Sequence, residues 1–160
     1  MSFDEAKFAA HIGRLGLNHF GYKELLAGRY RALNGPPPMR LWDNIVPTIL
    51  IVDALRAHFG KSIKIISAYR TEAYNDPSKN SGRATKSQHQ AFTALDIRVQ
   101  GETQEKVAKT LESWEYKRWF WSPIQFNRRA ESISKGQIPF YELPETTRSQ
   151  DVAGLHLQGS

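Results

Sequence analysis

Cysteine is absent from this 160-residue chain. That excludes a disulfide framework and any zinc site built on thiolates. Histidine, aspartate and glutamate remain as the side chains to hold a metal. No apolar run approaches the ~20 residues that a membrane-spanning helix needs, so no membrane span is expected. The opening Met1-Ser2-Phe3-Asp4-Glu5 has neither the basic nor the apolar region of a signal peptide. The expected location is therefore cytoplasmic as synthesised. A glycine-rich phosphate loop is missing too, as is any recognised nucleic-acid motif. The formal charge of +6 then reads either as a solvated basic surface or as attraction to an anionic partner.

What is present is an ordinary globular composition, 40% hydrophobic and 24% charged, long enough to bury one core. We read a single domain over 1–160, with a helical lead-in at 1–38 and a core at 39–160. Residues 3–15 have the pattern of an amphipathic helix with Phe3, Ala6, Phe8 and Ile12 inside. Residues 24–32 suggest a second short helix, stopped by Asn34-Gly35-Pro36-Pro37-Pro38. The main helix is expected over 41–59, with Leu41, Ile45, Ile49, Val52, Leu55 and Phe59 as its buried stripe. Asn44 is its expected N-cap, with Pro47 in the first turn or kinking a longer helix, and Gly60 its stop. His11, His19 and His58 read as surface or packing residues. After a turn at Gln100-Gly101, a helix over 102–114 should bury Val107 and Leu111 and pair Glu105 with Lys109. Residues 119–126 suggest a strand or cleft wall, 128–137 a surface loop, and 138–143 an edge strand.

Residues 63–99 concentrate the chemistry. Two β-type runs, Ile63-Lys64-Ile65-Ile66-Ser67 and Phe92 to Val99, flank a long polar loop. Arg70 follows the first run, His89 ends the loop, and Asp96 lies inside the second. Alternation puts Asp96 on the strand face of Phe92 and Ala94. A carboxylate on a partly buried face needs a partner, and a metal is a strong one. A loop-to-strand hook can bring His89 and Asp96 within roughly 2 Å of one zinc ion. The spacing alone favours a plainer arrangement, an edge aspartate bonded to a loop amide beside an unrelated histidine. Arg70, Lys79, Arg83 and Lys86 could be phosphate contacts of a basic nucleic-acid-binding domain, but no motif accompanies them and no nucleic-acid partner is expected. Arg70 could equally be an ion pair that pins the loop.

Ser67-Ala68-Tyr69-Arg70, Tyr74-Asn75, Gly82-Arg83-Ala84, Ser87-Gln88-His89 and Ala94-Leu95-Asp96-Ile97-Arg98 follow one another in an order and spacing that resembles the M15 family of zinc D-Ala-D-Ala peptidases. That family includes peptidoglycan carboxypeptidases and phage endolysins. The resemblance covers residues 20–99 well and the last third poorly. It implies an α+β fold of the Hedgehog/DD-peptidase type, with a small, mainly antiparallel sheet carrying a zinc site and helices packed on its other face. It further implies zinc on His89, Asp96 and a third ligand near the C-terminus, for which Leu155-His156-Leu157-Gln158 supplies His156. Two imidazoles and one carboxylate favour zinc over magnesium or calcium.

The resemblance makes Arg70 a catalytic and substrate-binding residue for a peptide carboxylate or carbonyl, with Ser87 and Gln88 bonding to the peptide or to a ligand side chain. The general base should stand three residues before the last ligand. Ala153 stands there and cannot act, so Asp151 is the expected base and Glu145 the next nearest carboxylate. Gln158 replaces the family's aspartate, and Phe92 replaces a glycine and should narrow the cleft. In a second alignment, Ala153-Gly154-Leu155-His156 is the approach to the last strand and the third ligand lies past Ser160. The implied activity is cleavage of the peptidoglycan stem as carboxypeptidase or endopeptidase, by a monomer that reaches the wall by release or delivery, as a phage protein does. The alternative is an inactive relative that binds wall peptide.

Overall fold

The computed structural model describes residues 2–75, 88–113, 151–152 and 155–158. Helix α1 runs Glu5–Gly13 and starts where the Asp4 carboxylate accepts the Lys7 backbone N–H at 3.0 Å, a side-chain N-cap. Phe8 and Ile12, one turn apart, are buried. Ala6, expected beside them, is exposed, because two residues before Phe8 is about 200° round the helix, on its far side. The helix expected over 24–32 does not form. The chain makes a 3-10 helix, Tyr22–Leu26, followed by turns. Gly28 at φ 87 and Leu33 at φ 71 are left-handed and end any helical run.

The main helix is divided. A 3-10 helix, Met39–Ile45, leads into α2, Val46–Phe59. Pro47 has no N–H to donate and fits only in an opening turn, so the α-helix starts at Val46. Asn44 is not its cap; that side chain is buried and binds elsewhere, as described below. Gly60 ends α2 in the left-handed conformation, φ 62. The stripe forms as expected, with Leu41, Ile45, Ile49, Val52 and Leu55 buried and Phe59 packed at its edge.

Four strands form one sheet in the order β1-β2-β4-β3. These are β1 Ile63–Ser67, β2 Leu95–Val99, β3 Asp151–Val152 and β4 Leu155–Gln158. The β1–β2 and β3–β4 pairings are antiparallel, and β2–β4 is parallel. The second β run begins at Leu95, not Phe92, because Phe92 sits in a turn at φ 57. Ile63 faces Val99 and Ile65 faces Ile97 across the first ladder. All four are buried in one cluster with Phe8, Ile12, Ile49, Val52 and Leu55, so this side of the sheet and helices α1 and α2 share a core. Lys64 and Arg98, paired on the alternate row, are exposed. Asp96 belongs to that alternate row of β2.

A short helix α3, Glu72–Asn75, follows β1. Helix α4, Gln104–Ser113, buries Val107 and Leu111 and pairs Glu105 with Lys109 at 3.1 Å. The fold is α+β. Among the described residues no helix is long and apolar enough to cross a membrane. The expectations for 119–143, and for Lys79, Gly82, Arg83, Lys86, Ser87, Glu145, Ala153 and Gly154, lie outside the described residues.

Candidate metal centre

The centre is built where the end of β1, the turn at 88–93 and the start of β2 meet. The turn closes on itself. Thr93 donates both its N–H, at 3.1 Å, and its hydroxyl, at 2.9 Å, to the Gln88 carbonyl, and Phe92 N–H bonds the His89 carbonyl at 3.2 Å. The 3-10 helix Met39–Ile45 and helix α2 together grip the turn from behind. Asn44 Nδ2 donates to the Ala91 carbonyl at 2.9 Å and Thr48 Oγ1 to the Thr93 carbonyl at 2.8 Å, both in the buried interior. Two polar side chains set in an apolar stripe must find partners, and here the partners are the backbone that carries His89.

Phe92 does not narrow a cleft. Its ring is wholly buried, 6.3 Å from both the Phe8 and Tyr69 rings. Its left-handed backbone explains why relatives are expected to carry glycine at this position, since only glycine adopts that conformation without steric cost. Tyr69 is partly buried; burial pushes its phenol above the ordinary range, with Arg40 opposing the shift.

His89 is 1% exposed and Asp96 6%. His89 Nδ1 lies 2.6 Å from the Ala68 carbonyl, and Nε2 lies 3.1 Å from Asp96 Oδ1. A carbonyl only accepts, so the proton belongs on Nδ1. In the neutral ring Nε2 then presents a lone pair toward a carboxylate oxygen that also only accepts. A proton or a metal cation held between the two atoms relieves that clash. Ligand atoms on a tetrahedral zinc with bonds of 2.0–2.1 Å stand about 3.3 Å apart, close to the observed 3.1 Å. An imidazole whose other nitrogen donates to a backbone carbonyl is the usual state of a zinc-bound histidine. The donor set therefore fits zinc. Among the described side chains, which do not include those of β3 and β4, no third histidine, aspartate or glutamate joins these two.

Arg70 is engaged with Asp96. Its Nη2 donates to Asp96 Oδ2 at 2.6 Å and its Nε to Ser67 Oγ at 3.0 Å, and its guanidinium lies over the Tyr74 ring, 5.8 Å from the centroid. Its side chain keeps 21% of its surface exposed. Gln88 lies beside His89 and is buried. In the strand register, His156 is the partner of Asp96 across the parallel β2–β4 ladder, and Asp151 is the partner of His156 across the β3–β4 ladder. Ser67, Asp96, His156 and Asp151 therefore occupy one row across the four strands.

The residue types at the centre were legible, but its supports were not. The Ala68 carbonyl is backbone and leaves no mark in a sequence. Asn44 and Thr48 could have been found as polar interruptions of the apolar stripe over 41–59. Ser67 was legible only within the quoted motif.

A family model described as Peptidase M15 matches residues 18–123. The match spans Arg70, His89 and Asp96 and ends before Asp151 and His156. Neither a search of curated proteins nor one of solved structures returned a match.

Proposed function

This chain belongs to the M15 peptidase family, and from that premise we propose a zinc metallopeptidase that hydrolyses the peptide stem of peptidoglycan. The observation that carries the reading is the pairing of His89 Nε2 with Asp96 Oδ1 at 3.1 Å while Nδ1 is committed to the Ala68 carbonyl. His89, Asp96 and His156 would hold the ion, and the register that sets His156 beside Asp96 supports the third ligand. When bound, zinc supplies a Lewis acid for the scissile carbonyl and acidifies a water.

The chain's own residues then divide the work. Asp151, in register with His156, is the base that accepts a proton from water and returns it to the leaving amine. Arg70 stands at the centre with a planar guanidinium suited to a peptide carboxylate or carbonyl. Ser87 and Gln88 lie next to His89 in sequence and would bond the peptide. His89 and Asp96 are themselves buried, 1% and 6% exposed, and exclusion of bulk water strengthens each electrostatic contact. Carboxypeptidase and endopeptidase cleavage both fit this set, in a monomer delivered to the wall as an endolysin is. The basic charge of +6 suits an anionic wall polymer.

Elemental analysis of purified protein, with hydrolysis of muropeptides by mass spectrometry, tests the reading. We expect one zinc per chain, lost in His89→Ala and in His156→Ala. Asp151→Asn should keep zinc and lose roughly 10²–10⁴-fold in rate. Absence of zinc after supplementation would overturn the enzyme reading. Ala153 and Gln158, at positions where acidic groups are expected, favour a second reading, a domain that binds wall peptide without cutting it. Zinc retained by wild type with no hydrolysis, together with measurable muropeptide binding, is the result that reading requires.

A further inference from the structure

We infer that Ser67 and Arg70 act together as positioning residues for Asp96, setting which carboxylate oxygen faces the metal. The inference rests on the reading of His89 and Asp96 as ligands and assigns a role that membership of the family does not supply. Three observations lead to it. The ladder between β1 and β2 slips between Ile65 and Ser67. Regular pairing would set Ile66 opposite Asp96, but the bulge sets Ser67 there, and bulges commonly re-aim side chains beside active sites. Ser67 is 1% exposed and its hydroxyl accepts Arg70 Nε at 3.0 Å. That bond fixes the plane of the guanidinium, and from that plane Nη2 reaches Asp96 Oδ2 at 2.6 Å.

The two carboxylate oxygens are thereby divided. Oδ2 is spent on Arg70, and Oδ1 is left facing His89 Nε2. A carboxylate held this way offers a metal one oxygen in one orientation. Two opposing effects bear on metal affinity. The cation withdraws negative charge from the ligand, which weakens its donor strength. Against that, an unheld carboxylate buried beside an imidazole would have to be ordered at the moment of binding and would lack a partner for Oδ2. The second effect should win, because loss of an orienting partner typically weakens metal binding 10–100-fold. The same four-residue segment also holds the other ligand, since the Ala68 carbonyl accepts from His89 Nδ1 and Arg70 N–H donates to the His89 carbonyl at 3.1 Å.

The test is the zinc dissociation constant, measured by competition with a chromogenic chelator, for wild type, Ser67→Ala, Arg70→Lys and His89→Ala. Lysine keeps the charge but cannot bond Ser67 and Asp96 from one rigid plane. Arg70→Lys should bind zinc roughly 10–100-fold more weakly, and Ser67→Ala should shift in the same direction by less. Urea midpoints with chelator present separate this from a general loss of folding, which the mild Ser67→Ala change is chosen to avoid. Wild-type affinity in both variants, with only the KM for peptide raised in Arg70→Lys, would overturn the positioning role and leave the ligand assignment standing. Wild type that binds no zinc, or His89→Ala that binds it normally, would overturn the ligand reading and this inference with it.

Discussion

Phe92 sets two large terms against each other, and replacing it by glycine shows which one governs. The backbone at Phe92 has φ 57, a left-handed conformation that costs an L-residue with a side chain about 1–2 kcal/mol. Glycine removes that cost. The ring, however, is wholly buried against Phe8 and Tyr69, and deleting a buried phenylalanine costs about 3–5 kcal/mol. Packing should win, so Phe92→Gly should lose about 1–4 kcal/mol net despite restoring the residue that relatives are expected to carry. In a domain of this length each kcal/mol moves the melting temperature by roughly 2–4 °C, so a fall of roughly 2–16 °C is expected.

The partner experiment is Phe92→Ala, which makes nearly the same cavity but keeps the strained backbone. Urea unfolding at fixed, saturating zinc should place glycine above alanine by about 1 kcal/mol. A Phe92→Gly protein as stable as wild type would refute the claim that packing outweighs strain. Glycine no better than alanine would refute the left-handed backbone itself.

Thr48→Val removes the buried hydroxyl that donates to the Thr93 carbonyl at 2.8 Å at nearly constant volume. A loss of about 1–3 kcal/mol is expected by urea denaturation, with weakened zinc retention because the turn carrying His89 loosens; an unchanged midpoint would show that the grip is decorative. Glu102 has its carboxyl held below the usual glutamate range by the hydrogen bond from Lys61, with Lys106 adding to it. A depressed pKa contributes stability that is complete above the unfolded value, about 4.3, and is lost as pH falls through the folded value. The stability difference between wild type and Glu102→Gln should therefore shrink below about pH 4, and a gap that stays constant from pH 7 to pH 3 would sink that account.

Residues could be read from the sequence wherever local chemistry decides the outcome. The α2 stripe follows from helical spacing, the Gly60 stop from a conformation that glycine adopts freely, and the Glu105–Lys109 pair from neighbouring positions on one helix face. Failures came where a residue's place is set by what lies across from it. Ala6 fits an apolar pattern by type but not by angle. Asn44 is a good capping residue that the interior claimed instead, because Ala91 needed a donor. Phe92 continues an apolar run that reads as strand, yet its backbone turns there. The mixed sheet was beyond reach for the same reason, since nothing local in residues 155–158 says that they pair in parallel with β2.

These differences also bear on how the centre is held in place. His89 sits in a turn, and turns are ordinarily the mobile parts of a fold. Here the 3-10 helix holds that turn through Asn44 and α2 holds it through Thr48 on one side, and the end of β1 holds it through the Ala68 carbonyl and the Arg70 N–H on the other. Asp96 lies in a paired strand and is fixed further by Arg70. The two proposed ligands, seven residues apart, are thus oriented by groups from three separate elements. Binding sites placed within about 0.5 Å of productive geometry need that kind of support. The pairing of His89 with Asp96 is therefore set by the fold itself, and under the proposed reading a third ligand on β4 would only have to complete it.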